Sequence, residues 1–427
     1  MFPEQMYRDV NMNQHQETHV QPRRLGIVNP NKCFLFMIFY FMGGNDAIHA
    51  FLMAIRPIVA LPGSVDKLLE YTVVGLIALV SLRRLNFKFS VKELLLLIAL
   101  FAALLISWAK QSGYDDMYLS IMGQIIYGLI AYTYFRSIED FTEIRNCFDI
   151  LAILLSVTIT LQIISIGTMS RLSYSQSLAY ALLPSAVISI SESFRRQAAI
   201  HIINAVYATL LIFMMGARWP LVCVGIFFAI KAVSSLKYGK KNAYFLIVLI
   251  ILFVILIGNM DTLLNGLGNI IPRFGLSRRS LLRIQSANFF EGNGRDVLWQ
   301  FSIERIKENP VIGYGIGTDR VLISNYMGLP NLALGYYPHN IVIEFLFQFG
   351  VIIGGLLIVL LMLTIIKTVK RSNEDFKDGS SETLDVVLIL VLLGIFPLFV
   401  SGSYITWIPF YELLGACYNV NNRRRIA

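Results

Sequence analysis

Three side chains in this sequence carry chemistry that their apolar surroundings make conspicuous. Arg218 stands in MMGARWPL, Arg295 in EGNGRDVLW and His339 in YYPHNIVIEF. A guanidinium presents a fork of N–H donors that matches phosphate oxygens two at a time and stays charged at physiological pH. A histidine near its ordinary pKa of ~6.5 takes a proton from an attacking hydroxyl. Together they suit displacement of a phosphate or diphosphate leaving group, with the imidazole as base. Each also has a plainer reading. Arg218 beside Trp219 is a common pairing at the lipid headgroup belt, and Arg295 fits a solvated helix start. A lone histidine at the mouth of a membrane helix serves as an interfacial polar residue. The run Arg278, Arg279, Arg283 reads as a headgroup-facing surface. No carboxylate pair of the glycosidase kind accompanies these residues, and no Asp/Glu/His cluster suggests a tight metal site, so neither a metal nor another cofactor is expected.

The segments that must position them are distinct in composition. Residues 309–317 form a loop punctuated by Pro310, Gly313, Gly315 and Gly317, a pattern that prevents helix and allows close backbone approach. Before it, residues 295–308 read as an amphipathic helix. Asn293 and Gly294 start it, Trp299, Ile303 and Ile306 follow i, i+4, i+7 spacing, and Asn309-Pro310 stops it. After the loop, His339 and Asn340 precede a long apolar helix from Ile341. This tenth apolar block is long enough to hold an interfacial helix up to Gly350 and a true span beyond it.

The chain as a whole is an all-α polytopic membrane protein. Of 427 residues, 56% are hydrophobic and 15% charged, and the apolar residues fall in blocks long enough to cross ~30 Å of hydrocarbon at ~1.5 Å per residue. About twelve spans are predicted, at 33–55, 68–82, 93–109, 116–135, 148–167, 176–191, 198–216, 220–236, 243–259, 340–366, 384–401 and 404–419. With the amino terminus cytoplasmic, 23 of the 36 Lys and Arg fall on the inside and 5 on short outer segments. The other 8 lie in one long outer loop. That asymmetry follows the positive-inside rule and puts both termini in the cytoplasm. It also explains the net charge of +9 without nucleic acid. The expected organisation is a disordered cytoplasmic tail at 1–31, helices one to nine at 32–259, an outward loop with short helices at 260–339, and helices ten to twelve with a basic tail at 340–427. His15 and His19 belong to the solvated tail. Cys33, Cys147, Cys223 and Cys417 sit singly in or beside apolar blocks and read as buried small residues, not as a disulfide framework.

The motifs, in order, are Gly-Ala-Arg at 216–218, Gly294-Arg295 with Trp299, the Asn-Pro-x-x-Gly-x-Gly run at 309–315, and His339-Asn340 with Glu344 and Gly350. In order and common outer location they resemble the O-antigen polymerase and ligase family of bacterial cell-surface polysaccharide assembly. The resemblance covers roughly residues 200–365. It implies a membrane glycosyltransferase of GT-C-type architecture, independent of metal, in the bacterial inner membrane with its active site on the periplasmic or outer face. It further implies donors and acceptors linked to undecaprenyl diphosphate, surrounding membrane lipids, and a chain-length regulator and flippase as functional partners. Arg218 and Arg295 would bind diphosphate, and His339 would orient or deprotonate the acceptor. Asn340, Gly313, Gly315 and Glu344 would contact the substrate beside them. In the ligase branch the position held here by Ile353 is usually a small or hydroxyl residue. The expected activity is therefore polymerisation of lipid-linked repeat units into O-antigen, capsule or exopolysaccharide. Ligation of a finished glycan to lipid A core is the alternative, and a lipid-linked oligosaccharide flippase or other transporter is the reading from another class. Transporters favour ionisable groups near the midplane. Here only Asn45, Asp46, His49 and His201 qualify, and polar packing or a helix break accounts for them.

Overall fold

A computed structural model of the chain describes residues 29–59, 63–165, 176–196, 198–215, 217–236, 294–329, 335–377 and 381–422. The expected tail up to residue 28, the ninth span at 243–259, the loop up to residue 293 with its Arg278–Arg279–Arg283 run, and the basic end at 423–425 lie outside these; the last residues of the expected tail, Pro30 and Asn31, instead begin a helix. No strand occurs among the described residues.

The helices are α1 (Pro30–Phe39), α2 (Asn45–Val59), α3 (Gly63–Ser81), α4 (Val91–Ala109), α5 (Asp115–Arg136), α6 (Phe141–Ser165), α7 (Gln176–Arg196), α8 (Ala199–Met214) and α9 (Arg218–Leu236). They continue with α10 (Arg295–Glu308), α11 (Thr318–Tyr326), α12 (Ile341–Lys377), α13 (Ser381–Ile395) and α14 (Ile408–Asn422). Local sequence explains several boundaries. Ser90 and Glu93 form a reciprocal capping box that starts α4. Asn29 caps α1, with Pro30 at its first position. A π turn at Tyr40–Gly44, where Gly43 has φ +124°, separates α1 from α2, so the polar residues Asn45, Asp46 and His49 follow a helix break.

Among the described residues, 6 helices are long and apolar enough to cross a membrane: Pro30–Arg56, Val91–Ala109, Phe141–Ser165, Gln176–Arg196, Ile341–Glu374 and Glu382–Phe399. Ala199–Met214 is apolar but shorter. The protein is thus an all-helical membrane protein. Helices occupy the other described segments of the expected set too, but α13 and α14 have only 15 residues each, and α13 reaches a spanning length by running into a 3₁₀ turn at Phe396–Phe399. All four cysteines are free thiols, with Cys33, Cys223 and Cys417 buried.

Two ionic assemblies tie the bundle together. Arg145 of α6 pairs with Glu192 of α7 at 2.7 Å and with Asp385 of α13 at 2.6 Å, and Lys231 of α9 closes on the same Asp385. Arg136 at the end of α5 pairs with Glu93 at 3.0 Å, its guanidinium 4.6 Å from the ring centroids of both Phe89 and Tyr418. Buried charges persist in an apolar interior only when paired in this way.

The helix α10 has the bounds its start and stop residues predict, Arg295–Glu308. Its buried face differs. Leu298 and Phe301 pack against Ile323 of α11, while Ile303 is exposed. A second stripe one residue out of phase with Trp299 and Ile303 was available, and packing against α11 selected it.

The long helix α12 breaks at Gly350, which has φ 74° and ψ 172°, a conformation essentially confined to glycine. A Cβ at this position would lie 2.2 Å from the Val311 carbonyl oxygen. Gly350→Ala is expected to destabilise the protein by at least about 2 kcal/mol, read as a lowered melting temperature of the detergent-purified protein. Gly355→Ala, where nothing lies within 4 Å, should leave it unchanged.

Candidate active site

The break at Gly350 is where the glycine-rich loop docks. With the helix interrupted, the carbonyls of Phe347 and Gln348 accept from the backbone N–H groups of Tyr314 (2.9 Å) and Gly315 (2.8 Å). On the far side the N–H of Val351 donates to the Pro310 carbonyl at 2.7 Å. The Asn309 amide closes the loop on the Gly313 carbonyl at 2.6 Å. A Cβ at Gly313 would meet the Gly350 nitrogen at 2.4 Å, and one at Gly315 the Ser107 hydroxyl at 2.3 Å. Both glycines thus allow the close backbone approach their spacing predicts, and what approaches them is protein: α12 and α4.

The docked loop leads into α11, and the chain returns through residues 335–340 to the mouth of α12. Here the segment after α13 becomes the meeting point. His339 has φ 55°, the left-handed region, and its Nδ1 lies 3.1 Å from the Ser401 carbonyl oxygen. The Tyr337 hydroxyl donates to that same carbonyl at 2.8 Å, and its ring lies 4.0 Å from the imidazole, centroid to centroid. The Arg295 guanidinium donates to the Ser401 hydroxyl at 3.3 Å. The Trp299 indole, one turn along α10, donates to the Pro338 carbonyl at 2.7 Å and so holds the backbone next to His339. Sequence spacing put Arg295 and Trp299 on one face, and both serve this corner.

A carbonyl oxygen only accepts, so the Ser401 contact requires the proton to sit on Nδ1. The neutral imidazole then carries its lone pair on Nε2, the nitrogen available as a base. Burial pushes the His339 pKa down to about 4; the Ser401 hydrogen bond opposes the shift, and the charges of Arg295 and Arg320 add to it. Burial and the neighbouring Glu344 push the Tyr337 hydroxyl up to about 12, so it remains a donor.

Arg218 is the first residue of α9 and half-buried. The next residue, Trp219, donates its indole N–H to the Phe396 carbonyl at 2.8 Å, within the 3₁₀ turn that leads to Ser401. The starts of α9, α10 and α12 are therefore all tied to one stretch, residues 396–403. Of the other expected site residues, Asn340 caps α12: its side-chain oxygen accepts from the N–H groups of Val342 (3.0 Å) and Ile343 (3.3 Å). Glu344 is fully buried behind the corner.

Glu344 belongs to a network that sequence reasoning missed. Arg320 of α11, also fully buried, reaches Glu344 and Asp319 at 3.3 Å each and the Ser403 hydroxyl at 2.7 Å. Ser403 donates to Glu344 in turn. Gln348, one turn beyond Glu344 on α12, donates to Asp319 at 2.7 Å and accepts from the Tyr404 hydroxyl. The Arg320 guanidinium lies 5.1 Å from the centroid of the Tyr337 ring. The only local signals were an Asp-Arg pair just behind Gly317 and polar residues four apart, Glu344 and Gln348, in an otherwise apolar helix.

Among the described residues one group has the composition of a metal site. Asp149, Glu192 and His201 bring ligand atoms within 4.8 Å of one another. Arg145, Arg195 and Arg196 already occupy the Glu192 carboxylate, and Arg196 also holds Asp149. That cationic surround disfavours a further cation. The trio involves none of the residues at the 396–403 corner.

The fold and this corner define a membrane protein whose basic and imidazole side chains converge where an apolar helix begins. Residues 203–359 match a family model described as O-Antigen ligase, a stretch that contains Arg218, Arg295, Gly313, Gly315, His339, Asn340 and Glu344. The matched stretch is similar to the O-antigen ligase domain, in line with the motifs, and the match supports a membrane enzyme of the O-antigen ligase or polymerase type. Comparison with curated proteins gives no match, and neither does comparison with solved structures.

Proposed function

We propose that the protein joins glycan repeat units linked to undecaprenyl diphosphate, on the outer face of the bacterial inner membrane, as a polysaccharide polymerase. The observation that carries this reading is the convergence of Arg295 and His339 on Ser401, with Trp219, the residue after Arg218, bonded to Phe396 of the same segment. In the reaction, His339 Nε2 removes the proton from an acceptor hydroxyl as its oxygen bonds to the donor's anomeric carbon. The bond from that carbon to the diphosphate oxygen breaks, the diphosphate leaves on its lipid, and the proton remains on the imidazole until solvent takes it. Arg218 and Arg295 neutralise the charge that grows on the leaving group, aided by the positive ends of α9 and α10. These side chains require no metal for the step. The twelve-span GT-C-type topology belongs to the same proposal, with residues 260–339 outward and both termini cytoplasmic.

The description of the matching family as O-Antigen ligase favours a second reading, transfer of a finished glycan to lipid A core. A deletion strain separates the two. A polymerase deletion leaves surface core bearing a single repeat, whereas a ligase deletion leaves bare core while lipid-linked polymer accumulates. Full-length polymer on the surface of the deletion strain would exclude both.

Acceptor activation needs neutral imidazole, and a pKa near 4 keeps His339 neutral well below its ordinary range. Transfer with purified enzyme should hold as pH falls through 6.5 and decline only as the medium approaches about 4. His339→Ala should abolish transfer without loss of inserted protein. Arg295→Lys keeps charge but loses the fork, for an expected drop of roughly tenfold or more, given charge-assisted bonds of ~1.5–3 kcal/mol. An acid limb centred at ~6.5 would mean that His339 titrates as an ordinary imidazole despite its burial, whereas normal transfer in His339→Ala would remove this residue from the mechanism.

The topology is tested by single cysteines at positions 240, 300 and 377 in a cysteine-free background. An impermeant maleimide applied to intact cells should label only position 300. Labelling at 240 or 377 would overturn the orientation.

A further inference from the structure

We propose that Arg320 is a positioning residue for His339: through Tyr337 and the 401–403 turn it fixes which imidazole nitrogen faces the substrate. The inference rests on the reading of His339 as the acceptor-activating base. Arg320 touches neither the imidazole nor the outer surface. Its guanidinium lies 5.1 Å from the Tyr337 ring centroid, and that ring lies 4.0 Å from the imidazole. Its other arm donates to Ser403, two residues from the carbonyl that receives both His339 Nδ1 and the Tyr337 hydroxyl. The two routes from Arg320 to His339 therefore meet at one carbonyl oxygen.

The geometry uses what distinguishes arginine from lysine. One planar group spans Glu344, Asp319 and Ser403 while presenting its face to an aromatic ring. An ammonium is a point charge and holds fewer of these partners at once. Its permanent charge also acts on His339 directly. The charged and titratable groups around the imidazole are Arg295 from α10, Arg320 from α11, Tyr337 on its own segment, Glu344 from α12 behind Arg320, and Tyr180 from α7 beside Arg295. Two of these are permanent cations, and each disfavours a third on the ring.

The test needs no substrate. The full-length protein is purified in detergent with isotope-labelled histidine, and its imidazole signals are followed by NMR as pH is varied. His339 is assigned by the signal that vanishes in His339→Gln. In the wild type the ring should be neutral to about pH 5 and protonated on Nδ1. Arg320→Lys should convert that single tautomer into a mixture with little change in midpoint. Arg320→Gln should do the same and raise the midpoint, because it removes one of the two cations that disfavour charge on the ring. If both variants insert and elute as the wild type and leave tautomer and midpoint unchanged, Arg320 is a packing residue and the proposal is wrong. Where the Arg320 variants do not yield folded protein, Ser403→Ala and Tyr337→Leu cut the two routes separately. Each should disturb the tautomer, and an unchanged Nδ1-protonated ring in both overturns the proposal equally. Failure of His339 as the base is read elsewhere, as full transfer in His339→Ala, so the two outcomes are distinct.

Discussion

The structure depends on the satisfaction of backbone hydrogen bonds at one break in an apolar helix. Where no water competes, a carbonyl or N–H left over by a broken turn costs several kcal/mol. Gly350 creates that demand in α12, and the loop 310–315 meets it with two N–H groups and one carbonyl. The demand is stereospecific, because only a chain without Cβ atoms at positions 313 and 350 approaches closely enough. Once docked, the loop fixes where α11 starts, and α11 delivers Asp319 and Arg320 to the face of α12 that carries Glu344 and Gln348. A glycine pattern that looks like a ligand cradle is thus a joint between two parts of the protein, and the site follows from it.

The corner at residues 396–403 shows a related economy. The groups it offers are two backbone carbonyls and two serine hydroxyls, neutral groups that orient their partners without adding charge. Arg295, His339 and Tyr337 all bind Ser401, and Arg320 with Glu344 binds Ser403. A carboxylate at either position would pair with an arginine outright and neutralise it. A hydroxyl holds the guanidinium in place and leaves its charge available to an incoming anion.

Much of this was legible in the sequence, for identifiable reasons. Gly294 and Asn309-Pro310 bracket α10 because helix termini are decided by a few local residues. Gly350 marks a break, and His339 marks the mouth of α12, because both are interruptions of a hydrophobic run. Arg320 was not legible. Three of its four partners lie on other segments, up to 83 residues away in the chain, and its own helix offers only the neighbouring Asp319 as a hint. Ser401 and Ser403 were hidden by a similar ambiguity, since short polar residues near the end of an apolar segment ordinarily bond to their own helix. The buried face of α10 was decided by a neighbour that the sequence does not put beside it, α11.

Helix α13 has an ionic anchor at its beginning and the site at its end. Near its first turn, Asp385 is held between Arg145 and Lys231; past its last, the turn 396–403 bears on the imidazole. In mechanical terms α13 is a strut loaded from one side of the bundle and braced on the other. Sliding it along its axis means parting buried ion pairs, at about 3–5 kcal/mol for each one broken. The strut therefore supplies a fixed stop for the base. Any travel needed to admit a bulky lipid-borne sugar falls instead to parts without such a brace, of which α10, held to the corner by one guanidinium and one indole, is the nearest.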